Sequence, residues 1–158
     1  MQTLRQIPRA LDDEHRASLA LLDRFERALA TGVDADLAAL AGPLVRQLEH
    51  DVQRHFGFEE EQLFPRMAEA GDGDLVALLT DEHDTIRAVA GEVLPLVRAL
   101  AAGTVPGAAD RAALRRLGPE LVERMVAHIQ KETMGLLPLL DDLLDEDADR
   151  ELAFAYLA

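Results

Sequence analysis

Four histidines and two glutamates fall at matched positions in this chain, and their types and spacing suit the binding of metal ions. Residues 55–65 read His55-x-x-x-Glu59-x-x-x-Leu63-Phe64-Pro65, and residues 128–138 read His128-x-x-x-Glu132-x-x-x-Leu136-Leu137-Pro138. Each copy follows a second shared signature, Asp13-Glu14-His15 in one half and Asp81-Glu82-His83 in the other. Residues four apart lie one turn apart on the same helix face. A histidine nitrogen in such a pair can bind one metal while the glutamate bridges to a second. A mixed nitrogen and oxygen set with two bridging carboxylates favours a di-iron centre, with manganese or zinc pairs as lesser options.

A more ordinary account competes with this one. A single His-x-x-x-Glu on a helix is usually an exposed pair worth roughly a few tenths of a kcal/mol. A lone histidine such as His15 is more often at the surface or a satisfied member of a core. Two copies with the same Leu-x-Pro ending, each behind an Asp-Glu-His, shift that balance. Duplication explains the similarity, but it does not explain why four histidines interrupt four otherwise apolar stripes, where unpaired polar groups are costly.

The elements that would position these residues can be read from apolar spacing and helix breakers. The first helix is expected from about Pro8 to Ala30, with Leu11, His15, Leu19, Leu22 and Leu29 near one face and Thr31-Gly32 ending it. The second is expected to begin near Pro43, a good first-turn residue, and carries Leu44, Leu48, Val52, His55, Glu59 and Leu63 on one stripe. Gly71-Asp72-Gly73-Asp74 breaks the chain, and a third helix runs from about Asp74 to Ala101 with Leu79, His83, Ile86, Ala90 and Val97 aligned. A loop from Gly103 to Ala109 leads to a fourth helix near Asp110, carrying Leu114, Leu117, Leu121, Met125, His128 and Glu132, with a kink expected at Gly118-Pro119. After Pro138 comes a short acidic helical tail ending in Phe154 and Tyr156. The expected fold is therefore all-α: an up-down-up-down antiparallel four-helix bundle with a short C-terminal helical tail. One candidate histidine per helix, at comparable depth, would bring all four together inside the bundle.

Composition agrees with helices and limits partners. The chain has 158 residues, most simply one domain over 1–158, with 49% hydrophobic and only 4% aromatic residues. Frequent Ala, Leu, Arg and Glu suit helices rather than sheets. A formal net charge of −14 repels nucleic acid and anionic membrane surfaces, so neither is an expected partner. The absence of cysteine excludes disulfides, thiolate zinc sites and iron–sulfur clusters. The N-terminal residues form no apolar stretch resembling a secretion signal, and no segment reaches the length of a membrane span, so the expected location is cytoplasmic.

The combined pattern from Asp13 to Pro138 resembles the hemerythrin-like family of HHE cation-binding domains. The resemblance implies a four-helix bundle around a non-haem, oxo- or hydroxo-bridged pair of iron ions. By matching position it implies His15, His55, His83 and His128 as histidine ligands and Glu59 and Glu132 as bridging carboxylates. A ferritin-like bundle would instead carry Glu-x-x-His on two helices, and no such motif occurs here. One departure matters: oxygen-carrying hemerythrins have a fifth histidine where this chain has Arg87. With about six positions per iron, four histidines leave about one open position on each metal. That favours redox chemistry over clean reversible oxygen binding.

The expected function is thus reaction with a small diatomic or peroxide ligand, most concretely peroxide decomposition. The alternative is reversible oxygen binding, or oxygen or iron sensing without turnover. Glu60 and Glu61 are expected in solvent, with Glu60 the best spare ligand, and Arg87 is expected either to steer an anionic peroxide or to reach a surface acid such as Asp84 or Glu92. His50, about 140° around the helix from His55, is expected at the surface. Glu14 and Glu82 are expected either in solvent or in contact with the histidines. Phe56, Phe64 and Met125 are expected to pack in the core, the run Asp141 to Asp149 to form a solvated face, and Tyr156 to stay off the metal.

Overall fold

The computed structural model describes residues 4–32 and 34–158, and every regular element among them is helical. Helix α1 is Gln6–Thr31. Helix α2 spans residues 34–69 as one continuous rod, made of Asp34–Glu49, His50–His55, Phe56–Phe58, Glu59–Leu63 and Phe64–Glu69. Helix α3 is Gly73–Ala101. Helix α4 spans residues 108–143, made of Ala108–Lys131, Glu132–Leu136 and Leu137–Leu143. The tail is a fifth helix, α5, Glu146–Leu157. Contacts run from α1 to α2, α2 to α3, α3 to α4 and α4 back to α1, which closes the up-down-up-down bundle, and α5 lies along α1.

The ends follow from local chemistry. Gly32 terminates α1 in the left-handed region at φ 67°, returning its N–H to the Ala28 carbonyl. Helix α2 begins at Asp34, well before the start expected near Pro43. Its first turn carries Asp34 and Asp36, which favour the positive end of the helix dipole. Pro43 inside the helix costs a hydrogen bond, but Leu37, Leu40 and Ala41 ahead of it are buried, and that burial outweighs the loss. Helix α4 likewise continues through Gly118-Pro119. There a side chain would meet its neighbour, since a Cβ on Gly118 would lie 2.5 Å from Leu29 Cδ1 on α1.

Two of the composite joints in α2 and α4 sit just before a proline. Phe64 donates to the Glu59 carbonyl and Leu137 to the Glu132 carbonyl, both reaching back five residues instead of four. Proline lacks an N–H and crowds the carbonyl four residues back. A widened turn immediately ahead of Pro65 and Pro138 relieves that crowding, and such turns recur at functional sites. A third wide turn ends at His55, where Phe56 donates to the Asp51 carbonyl. Glu59 and Glu132 each open one of these turns, and His55 closes one.

The apolar core is split. One cluster includes Leu22, Phe25, Leu44, Leu48, Ile86, Val93, Leu121 and Met125. The other includes Ile7, Leu11, Leu63, Met67, Leu79, Leu136, Leu140, Leu152 and Tyr156. Between them on every bundle helix lie buried polar residues: His15 and Ser18 on α1, Asp51, His55 and Glu59 on α2, His83 on α3, His128 and Glu132 on α4.

The acidic tail is not the solvated face expected of it throughout. Asp149 is 4% exposed and accepts hydrogen bonds from the backbone N–H groups of Gln6 at 3.0 Å and Ile7 at 2.9 Å. Asp141 accepts from the Arg5 N–H at 2.7 Å, and Asp145 caps its own helix by accepting from Ala148. The tail thus satisfies donors that the start of α1 leaves unpaired. Asp149→Ala should lower unfolding stability by about 1–3 kcal/mol in urea denaturation, with Asp149→Asn losing less because one acceptor oxygen remains.

Candidate metal centre

All six residues singled out in the sequence meet in the polar layer. Their arrangement falls into two overlapping groups whose nitrogen and oxygen atoms lie within 4.8 Å of one another: His15, His55, Glu59 and Glu132, and Glu59, His83, His128 and Glu132. The two glutamates are common to both. Glu59 Oε2 lies 3.5 Å from His55 Nε2, while its other oxygen lies 3.3 Å from His83 Nε2. Glu132 Oε1 lies 3.0 Å from His15 Nε2 and 3.3 Å from His128 Nε2, and its Oε2 lies 3.8 Å from His83 Nε2. Each carboxylate therefore spans the two histidine pairs.

Every histidine faces the layer through Nε2 because its Nδ1 is engaged on the outer side. His55 Nδ1 lies 2.5 Å from Glu14, His83 Nδ1 2.8 Å from Glu60, His128 Nδ1 2.9 Å from Glu82 and His15 Nδ1 3.1 Å from the Thr133 hydroxyl. Such contacts fix the ring and the tautomer, leaving the other nitrogen free to accept. The sequence repeat persists in this arrangement. The glutamate of each Asp-Glu-His holds the histidine of the His-x-x-x-Glu in its own half. The residue after each layer glutamate, Glu60 or Thr133, holds the histidine of the other half's triplet, so the halves interlock.

Several atoms in the layer are left over. His55 Nε2, His83 Nε2, His128 Nε2, both oxygens of Glu59 and Glu132 Oε2 are buried without a hydrogen-bond partner. Unpaired buried polar groups are expensive, and charged ones more so. Convergent imidazole nitrogens and carboxylate oxygens match the donors that first-row transition metals take, so the residues fit a metal cation.

Electrostatics point the same way. Burial pulls His83 down, but the nearby carboxylates of Glu132 and Glu59 more than offset it and raise its pKa to about 9. His55 and His128 are also raised against burial, chiefly by Glu59 and Glu132 respectively. Glu132 is pushed up by burial and pulled well below its usual range by the four surrounding histidines. Protons on the histidines offset the carboxylate charge where no cation does.

Residues around the layer have definite places too. Glu60 is turned away from it, accepting from His83 and from both terminal nitrogens of Arg87 at 2.9 and 2.7 Å. It supports His83 from the outer side of that ring. Arg87 reaches Asp84 at 3.4 Å as well and lies over the Phe56 ring at 5.6 Å, so its charge is spent on neighbours and not aimed into the site. In the other half the equivalent positions are Leu19 and Thr133, so the charged pair is replaced by a neutral one. His50 is not simply at the surface: its Nε2 lies 2.9 Å from Glu14. Phe56 stacks on His83 at 3.8 Å, and Phe64 and Met125 are buried, as core packing requires.

The sequence does not single out the trio of Ser18 and Asp51, both buried, and the half-buried Gln47. Ser18 donates to Asp51 at 2.6 Å and Gln47 Nε2 donates to both, while burial raises the Asp51 pKa. The available signal is Asp51 on the same stripe as His55, one turn before it.

The helical bundle and its buried histidine–glutamate layer define a cation-binding class of fold. The profile described as Hemerythrin HHE cation binding domain matches residues 6–140, and the chain belongs to that family. Comparison with curated proteins returns no match. Among the described residues no helix is long and apolar enough to cross a membrane.

The raised histidines set a pH dependence for the metal-free protein. His83 has an ordinary value of 6.5 and a folded value of about 9, so its stabilising contribution is complete below pH 6.5 and is lost as pH rises through 9. The melting temperature of metal-free protein should therefore fall across that window. A flat or rising profile would contradict the assignment of these contacts.

Proposed function

We propose that His15, His55, His83 and His128 bind two metal ions through Nε2, that Glu59 and Glu132 bridge them, that both ions are iron, and that the centre decomposes peroxide. The observation that carries this reading is the pair of shared carboxylates, each reaching both histidine pairs. Position one takes His15 and His55; position two takes His83 and His128. Each position then has two nitrogens and one oxygen from each bridging glutamate, against about six sites on an octahedral ion. Arg87 and Glu60 are paired with each other outside the layer, so neither would take a place on the ion beside His83.

When bound, the two irons supply a reservoir of two electrons, cycling between ferrous and ferric. That matches two peroxides becoming two waters and one dioxygen. The chain's own residues do the rest. Glu14, Glu60, Glu82 and Thr133 hold the imidazoles in the tautomer that presents Nε2. Phe56 and Phe64 flank His83, and the two apolar clusters close the layer on either side, keeping bulk water out. A dry site strengthens the hold of Glu59 and Glu132 on the cations.

Metal analysis of anaerobically purified protein, with spectra before and after peroxide, tests this. About two irons per chain and oxygen evolution from peroxide are expected. Two irons without peroxide consumption would favour reversible oxygen binding or sensing. Failure to take up iron under reducing conditions would sink the metal reading. His128→Ala should hold fewer than two ions per chain, and full retention of two would remove His128 from the ligand set.

A further inference from the structure

The contact behind His55 differs from the others in where it comes from. Glu14 accepts from His55 and His50 and also faces the Tyr156 hydroxyl, which lies 2.8 and 2.6 Å from its two oxygens. Tyr156 is on α5, beyond the 6–140 stretch that matches the family. It is the only tyrosine in the chain.

Its placement is over-determined. Asp149 ties α5 to the first turn of α1, and Leu152, Ala153 and Tyr156 are buried against the bundle. The Tyr156 ring stacks on Phe58 at 4.3 Å, the Arg54 guanidinium lies 5.3 Å from its centroid, and Arg54 donates to its backbone carbonyl. Packing alone needs only the ring. The hydroxyl is aimed at a carboxylate that has two imidazoles to choose between. With His50 as its only other donor among the described residues, Glu14 could swing toward the half-exposed ring and leave His55 Nδ1 unheld. A third donor on the tail triangulates the carboxylate. In the second half of the chain the corresponding glutamate, Glu82, takes its extra donor from Lys131, one turn from His128 on the same helix.

We propose that Tyr156 is a positioning residue for the metal position that includes His55: its hydroxyl fixes Glu14, and Glu14 fixes the orientation of that imidazole. This rests on the ligand assignment above. The C-terminal helix is on this view part of the metal centre, and the two positions depend on different supports.

The test is iron release. Wild-type protein and Tyr156→Phe are loaded anaerobically with ferrous iron and titrated with a competing chelator. Tyr156→Phe keeps the ring and its stack on Phe58. It should lose one of its two irons about tenfold more readily while the other is held as in wild type, the lower range for removing a contact behind a ligand. Glu14→Gln, which leaves α5 untouched, should weaken the same single iron. In the Glu14→Gln background the tyrosine substitution should add nothing, because both act through one carboxylate. Equal weakening of both irons, no weakening, or additive effects of the two substitutions would each overturn the proposal while leaving the ligand assignment standing. Wild-type protein that takes up no iron would overturn the ligand assignment, and this inference with it.

Discussion

The structure depends on one constraint: six ionisable side chains are held in a dry layer across the middle of a helical bundle. Carboxylates at the centre of an apolar core are tolerable only with positive charge beside them. Protons on the histidines can supply it, and in the proposed centre bound cations would do so through the same rings. On the proposed ligand set, metal binding and protonation would compete for the same groups. The rest of the bundle reads as the means of keeping the layer dry and its groups aimed inward, with apolar clusters above and below and a hydrogen-bond acceptor behind each ring.

The two halves meet this constraint with the same plan and different parts. The Asp-Glu-His glutamates do equivalent work on His55 and His128. The partners of His15 and His83 do not match, being a threonine hydroxyl in one case and a carboxylate in the other. A carboxylate brings a further charge that has to be answered, and Arg87 answers it. The arginine in place of a histidine is thus explained by the residue at position 60 and not by anything in the layer itself.

Much of this arrangement is legible in the sequence. The apolar stripes name four helices, and a polar residue interrupting each stripe at matched places names the layer. What the sequence hides are contacts that no period announces. Pro43 has the look of a helix start because proline favours that position, whereas burial of Leu37 and Leu40 carries the helix back to Asp34. Pro65 and Pro138 do mark the wide turns, but as helix breakers they point to an ending that tertiary packing overrides. Asp149 and Tyr156 are invisible as partners of α1 because more than a hundred residues separate them from the groups they hold. A solvated acid and a capping acid look alike in a sequence.

The fastening of α1 by the tail has a consequence for the order in which the molecule is completed. Helix α1 precedes the other four helices in the chain, yet the acceptors for its opening N–H groups are on Asp141 and Asp149, and the neighbours of His15 are Glu132 and Thr133. On a chain still emerging from the ribosome, α1 can pair with α2 but lacks both its cap and the far wall of the layer. Of the five helices, α1 emerges ahead of the others and waits for α4 and α5 to be secured. The polar layer closes only once α4 and α5 have joined α1, so its walls come from stretches far apart in the chain.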